Sequence, residues 1–183
     1  LTGFMGSEAT QSVLNEMKLP SGDSWSMPIL LALNPDVANS LEKGVRIKLA
    51  HPNGEAHAVM DVEEIFTLDL DETTQKWFGT SDQAHPGVAR IKAEGNTFIA
   101  GPVTLTKRLS SEFQHYALLP EQSRFVFDHQ GWSRIVGFHG RNPAHRAHTF
   151  IQLQALERTG ADGLYINPVI GPQKPGDFLA EYV

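Results

Sequence analysis

Short apolar runs divided by turn-forming residues fill the first part of the chain. MPILLAL, GVRIKLA, HAVMDVEEIFTL and NTFIAGPVTL are such runs, and Pro52-Asn53-Gly54 separates two of them. Asn-Gly supplies the positive φ angles of a tight hairpin turn. Residues 6–19 have the apolar spacing of a short helix, with Val13, Leu14 and Met17 on one side. We therefore expect residues 1–106 to form a mostly β domain with a few small helices.

Beyond this domain the pattern changes to helices and strands in alternation. Residues 119–130, LPEQSRFVFDHQ, predict a helix with Phe125 facing inward. Residues 134–138, RIVGF, form a short apolar run suited to a buried parallel strand. Residues 163–170, GLYINPVI, predict a second strand of the same kind.

A longer helix is predicted between those two strands. It extends from Pro143 to about Thr159, and Gly160 follows, where a helix C-cap favours glycine. Apolar residues mark the side expected to pack on a sheet: Ala144, Ala147, Phe150, Ile151, Leu153 and Leu156. Strand, helix and strand form a βαβ unit, which is normally right-handed and parallel. Because an open α/β sheet usually has more than two strands, we expect residues 107–183 to be the beginning of a domain that is incomplete in this chain.

Charge and composition exclude several classes of protein. The 183 residues carry a net charge of −6 with a pI near 5.7, which disfavours a nonspecific grip on nucleic acid. No apolar run reaches the roughly 18 residues of a membrane span. The chain has no cysteine, which excludes disulfides, thiolate catalysis and cysteine metal sites. We expect a cytoplasmic protein that binds neither membranes nor nucleic acid.

The segment GFHGRNPAHRAH concentrates candidate chemistry at the turn from the first predicted strand into the helix. Asn142 is expected at the helix N-cap and Pro143 at the next position, where each is favoured. His145 and His148 are three residues apart and share a face of the first turns, and Arg141 precedes the cap. Free N–H groups and the helix dipole attract anions to such an end, and these side chains add donors. The pattern predicts a polyphosphate site at the carboxyl end of the strand.

Each of these features also has an explanation that involves no phosphate. The Arg-Asn-Pro turn could serve only as a cap, and two histidines at this spacing could be solvated or could be two ligands of a metal ion. No carboxylate or third histidine stands next to them in the sequence to complete a metal site. Their combination at one strand-to-helix turn favours phosphate binding.

The same segment closely resembles the R-N-P-x-H-x-x-H signature of the ATP sulfurylase family. LTGFM, FGTSDQAHPGVARI and GPVTL resemble segments of the family's N-terminal PUA-like domain, and GWSRIVGF and NPVIGPQKPGDF resemble segments around its active site. The resemblance covers almost the whole chain in family order. It implies an α/β protein with a PUA-like domain at residues 1–106 and a truncated Rossmann-like nucleotidyltransferase domain at residues 107–183.

The resemblance also implies an activity, that of a sulfate adenylyltransferase of sulfate assimilation. Such an enzyme joins sulfate to the AMP part of ATP, with Mg²⁺ accompanying the nucleotide. Arg141, Asn142, His145 and His148 are then the catalytic residues: Arg141 holds sulfate, and the other three hold the phosphates of ATP. The resemblance further implies that residues 1–183 alone are inactive and that the full-length protein is a homo-oligomer.

Two positions depart from the family pattern. The family usually has glutamine where this chain has His139 and threonine where it has Gly140. We expect His139 to replace that glutamine as a sulfate ligand, since it lies two residues before Arg141 and alternate side chains of a strand point to the same side. Lys174 and Asp177, which follow the second strand, are candidate contacts to the nucleotide, and a plain Pro-Gly turn with two solvated charges is the alternative.

The sequence is compatible with three other functions. One is an adenylyltransferase of the same superfamily with a different acceptor, because His139 and Gly140 differ from the family. Another is an RNA-binding module built on the PUA-like domain, although its acidic balance favours a scaffold. The third is a metal site at His145 and His148.

Overall fold

In a computed structural model, the described parts of the chain are residues 2–38, 40–108, 113–170 and 176–183, without the side chains of residues 35 and 36. The chain forms two compact units, Leu1–Ser110 and Ser111–Val183. Every helix among the described residues is too short or too polar to span a bilayer.

The first unit is built on an antiparallel sheet. Within its described residues the strands are Gly3–Phe4 (β1), Leu31–Ala32 (β2), Arg46–Ala50 (β3), Ala56–Asp61 (β4), Glu64–Thr67 (β5) and Thr97–Leu105 (β6). The helices there are Ser7–Glu16 (α1), Pro35–Ala38 (α2), Leu70–Phe78 (α3) and Pro86–Glu94 (α4). The long strand β6 pairs with β1, β2, β4 and β5, and β3 extends the sheet beyond β4. The sheet predicted for this domain is confirmed.

The core of the first unit follows the predicted apolar runs. Leu33, Met60, Val62 and Ile99 form a buried cluster, in which Met60 is completely inaccessible. The predicted hairpin joins β3 to β4, and Gly54 in its turn has a φ of 85°. Helix α1 buries Val13 as expected. Met17 does not pack beside Val13, because it is the C-cap of the helix, with a φ of 55°. Its side chain is 67% exposed.

The second unit contains the predicted βαβ arrangement. Its described helices are Pro120–His129 (α5) and Arg146–Thr159 (α6), its strands are Ile135–Gly140 (β7) and Gly163–Pro168 (β8), and 3-10 turns span Gln114–Tyr116 and Ala180–Tyr182. Strands β7 and β8 are parallel, with Ile135 opposite Gly163. Gly160 ends α6 in the left-handed conformation, with a φ of 59°, so the predicted C-cap is confirmed.

The carboxylate of Asp162 links the beginnings of the two parallel strands by hydrogen bonds. Asp162, just before β8, accepts hydrogen bonds from the backbone N–H groups of Ser133 (2.9 Å) and Arg134 (2.9 Å) and from the Ser133 hydroxyl (2.9 Å). Hydrogen bonds from the N–H group of Ser133, which has the larger effect, and from that of Arg134 favour the charged carboxylate. They hold the pKa of Asp162 below its usual range. This contact aligns the strands from their first residues, so both end at one edge of the sheet.

Two helix faces differ from the prediction. Phe125 of α5, expected to face inward, is 71% exposed, and Ser123 occupies the buried position instead. On α6, Phe150, Ile151 and Leu153 are all more than half exposed, whereas Gln152 is 6% exposed. The apolar residues of α6 therefore do not mark the side that packs on the sheet.

Candidate active site

The motif predicted as a site lies between the carboxyl end of β7 and the N-terminus of α6. Strand β7 ends at Gly140, and α6 begins at Arg146. The chain between them is a bend at Arg141 and Asn142, followed by three residues without regular secondary structure. The first turn of α6 contains no acidic residue, so no charge there opposes the attraction of its free N–H groups for an anion.

His145, and not Asn142, caps helix α6. The backbone of His145 is extended (φ −133°, ψ 176°), and the N–H group of Ala147 donates to its Nδ1 atom at 3.3 Å. The predicted helix start at Pro143 is therefore wrong, because residues 143–145 have no regular secondary structure and the helix begins at Arg146. Asn142 is exposed in the bend ahead of the helix. A capping Nδ1 carries no proton, so the proton of the neutral ring is on Nε2, which is then free to donate to a ligand.

His148 lies directly beside His145. The two rings are stacked, with centroids 3.9 Å apart and planes 26° from parallel. The other neighbour of His148 is Phe138 of β7, at a centroid distance of 5.5 Å. The Nδ1 atom of His148 is buried, and within the described residues it has no hydrogen-bond partner. The paired imidazoles are thus held between the strand end and the first turn of the helix.

His139 occupies an exposed position one residue before the end of β7. Register places it opposite Asn167 of β8, and the Asn167 amide nitrogen is 3.5 Å from the His139 Nδ1 atom. Sequence reasoning missed Asn167. It could have been found from the parallel register: if the first residues of the two strands are aligned, residue 167 lies opposite residue 139.

Arg141 forms an ion pair with Asp177. Its Nη2 atom donates to the Asp177 Oδ2 atom, which brings together two predicted site residues that are 36 positions apart. The N–H group of Val169, just after β8, also donates to the Gly140 carbonyl at 2.8 Å. The chain that leaves β8 therefore lies against the end of β7. Lys174, the other candidate on this segment, lies outside the described residues.

Groups elsewhere in the described structure form no comparable cluster. No set of three His, Asp or Glu side chains among the described residues could hold a metal ion. In the first unit, His85 stands at the start of α4 with extended backbone, and its ring packs on Phe78 at a centroid distance of 4.9 Å. His85 is accordingly part of an aromatic contact on that unit's surface.

Comparison with known protein families agrees with this division of the chain. Residues 1–108 match the family model described as a PUA-like domain, and residues 114–183 match the model described as ATP-sulfurylase. The first match covers more than half of the chain.

Two similar curated proteins carry the same description. The chain is 43% identical to a sulfate adenylyltransferase of Synechococcus sp. (strain JA-3-3Ab), over 99% of this chain and 46% of that protein. It is 42% identical to a sulfate adenylyltransferase of Symbiobacterium thermophilum, over 98% of this chain and 45% of that protein. The chain thus spans about half the length of the curated relatives it matches.

A solved structure has a similar fold. It is described as a hexameric APS kinase from Thiobacillus denitrificans, and it matches with a TM-score of 0.66 at 23% identity, over 94% of this chain and 30% of that one. At this identity the likeness concerns the fold alone.

Proposed function

We propose that the whole protein is a sulfate adenylyltransferase, because the chain belongs to the PUA-like domain family through residues 1–108 and its residues 114–183 match the ATP-sulfurylase model. It joins sulfate to the AMP part of ATP, giving adenosine 5′-phosphosulfate and pyrophosphate. The observation that carries the proposal is the grouping of Arg141, His145 and His148 between the carboxyl end of β7 and the N-terminus of α6. In open α/β sheets, this is the edge where ligands bind.

The chemistry is a single in-line displacement. A sulfate oxygen forms a bond to the α-phosphorus of ATP, the bond from that phosphorus to the bridging oxygen breaks, and pyrophosphate departs with the electron pair. Sulfate is a weak nucleophile, so the reaction depends on holding the two anions together and on stabilising the charge that grows on the phosphoryl oxygens. ATP enters as its Mg²⁺ complex, and the ion is part of the substrate.

The described geometry supports separate roles for the site residues. Capping fixes the His145 ring with Nε2 as a donor, and stacking holds His148 beside it, so both imidazoles suit phosphoryl oxygens in the transition state. Arg141 offers the planar fork of donors that fits sulfate. His139, exposed at the end of β7, adds a further donor for sulfate, and Asn142 orients the phosphates from the bend.

Three further features of the whole protein belong to the same proposal. We place it in the cytoplasm, in sulfate assimilation, with a Rossmann-like nucleotidyltransferase domain that includes β7, α6 and β8. We also propose a homo-oligomer; the solved protein of similar fold is described as hexameric. The oligomeric state is measured directly by light scattering of the whole protein.

The test compares acceptors in the whole protein with Mg·ATP. Pyrophosphate release is followed with sulfate, with other oxyanions and with no acceptor, and binding of RNA and Zn²⁺ is measured on the same preparation. We expect release that requires sulfate. Release that requires another acceptor indicates a different adenylyltransferase, and tight binding of RNA or Zn²⁺ without any release contradicts the proposal.

A further inference from the structure

The ion pair between Arg141 and Asp177 assigns Asp177 a role that the sequence did not predict. Sequence reasoning placed Asp177 against the nucleotide. A carboxylate repels both sulfate and the phosphates of ATP, so direct contact with either anion is unfavourable. Its observed partner is instead the guanidinium of Arg141, the proposed sulfate-binding group.

Exposure shows which member of the pair is the anchor. The side chain of Asp177 is 20% exposed, whereas that of Arg141 is 42% exposed. The two residues line one crevice together with Val169, Ile170 and Phe178. The carboxylate is thus the inner partner, and the guanidinium is the outer partner that faces solvent.

The hydrogen bond to Asp177 uses one nitrogen of the Arg141 guanidinium. Asp177 accepts from Nη2 through Oδ2, while a guanidinium has five N–H donors arranged as a planar fork. Asp177 is the acceptor that Arg141 contacts among the described residues, so the donors on Nε and Nη1 are available to a second anion. An unrestrained arginine side chain also loses rotamer entropy when it is ordered, and a fixed carboxylate removes part of that cost before sulfate arrives.

We propose that Asp177 is a positioning residue, which holds the Arg141 guanidinium with its free edge toward the sulfate site. The proposal rests on the proposed function, because it assigns sulfate as the ligand of that edge. Asp177 acts on sulfate binding through Arg141, and this dependence distinguishes it from a residue that merely stabilises the chain after β8.

The experiment is a double-mutant cycle in the whole protein. Binding of ³⁵S-sulfate is measured by equilibrium dialysis with a non-hydrolysable ATP analogue, and KM for sulfate and kcat are measured with Mg·ATP. Asp177→Ala should weaken sulfate binding and raise KM for sulfate by about tenfold, since small displacements of a positioned group cost this much or more. Its effect on kcat should be smaller than its effect on KM. Asp177→Asn, which keeps an acceptor oxygen, should recover part of the loss.

The decisive comparison is made in the Arg141→Ala background. There Asp177→Ala should change sulfate binding by less than about twofold, because its partner is gone. Glu181 is an exposed acidic residue of the same segment. Glu181→Ala is therefore the matched control and should leave KM for sulfate unchanged.

Three results overturn the proposal. They are an unchanged KM for sulfate in Asp177→Ala, tighter sulfate binding in that variant, or an equal loss in the presence and absence of Arg141. Tighter binding would mean that Asp177 competes with sulfate. A wild-type protein that neither binds sulfate nor turns over contradicts the proposed function as well, whereas normal wild-type turnover with an inert Asp177 overturns this inference alone.

Discussion

We propose two separable functions for His145, and substituting it in two ways distinguishes them. Its Nδ1 atom caps α6, and its Nε2 atom is the donor proposed for the transition state. Alanine removes both atoms. Asparagine removes the imidazole but keeps a side-chain oxygen, which is among the best N-cap acceptors.

The magnitudes follow from the two contacts. Loss of an N-cap costs about 0.5–2 kcal/mol, and the length of this hydrogen bond, 3.3 Å, places His145→Ala in the lower half of that range. His145→Asn should be more stable than His145→Ala by that amount. Both variants lose the donor proposed for the transition state, and such a loss costs roughly 2–4 kcal/mol in the barrier, or roughly 30- to 900-fold in kcat.

The assay combines urea unfolding with kcat for pyrophosphate release in the whole protein. His129→Ala, which changes an exposed histidine at the end of α5, is the control and should leave kcat unchanged. Near-normal turnover in His145→Asn would refute the catalytic role and leave capping as the whole function. Equal stabilities of the alanine and asparagine variants would refute the capping contact.

The remaining predictions concern the fold and the sulfate site. The pKa of Asp162 is lowered in the folded state, so its contribution to stability is present above the unfolded pKa and is lost as pH falls through the folded pKa. The difference in unfolding free energy between wild type and Asp162→Asn, measured in urea, should therefore shrink in acid. A difference that stays constant with pH would contradict this. Gly101→Ala should destabilise the protein by roughly 3–5 kcal/mol, because φ is 149° and a Cβ atom would lie 1.9 Å from the Asp61 carbonyl oxygen. Gly54→Ala is the control and should cost about 1 kcal/mol, since φ is 85° there and the added Cβ atom meets open space. Similar urea midpoints for the two variants would be inconsistent with the geometry. His139→Ala should raise KM for sulfate, and His139→Gln, which keeps an N–H donor, should restore it; an unchanged KM in His139→Ala would remove His139 from the sulfate site.

Local signals in the sequence predicted most of the elements. The Asn-Gly turn, the β7 and β8 runs and the C-cap at Gly160 each depend on interactions between residues close in sequence. Those interactions need no knowledge of the rest of the fold, so the pattern was sufficient.

The start and the packed side of α6 could not be predicted in the same way. Asn142 and Pro143 are both favourable at a helix start, but the imidazole of His145 supplies the cap and the helix begins after it. Periodicity likewise identified the apolar residues of α6 without showing which side meets the sheet. That side carries His148 and Gln152, and Phe150 points away from it.

The candidate site was predicted as a set of residues but without its pairings. Arg141, His145 and His148 were identified from one short motif, since they are neighbours in sequence. The contacts of Arg141 with Asp177 and of His139 with Asn167 join distant segments, and they depend on the parallel register of β7 and β8.

The most direct test of the account is product formation by the whole protein with ³⁵S-sulfate and Mg·ATP. We predict that the label appears in a nucleotide with the mass of adenosine 5′-phosphosulfate, in an amount equal to the pyrophosphate released, and that His148→Ala lowers both together. Pyrophosphate release without labelled nucleotide, or labelled nucleotide formed at the wild-type rate by His148→Ala, would contradict the placement of the chemistry at the end of β7.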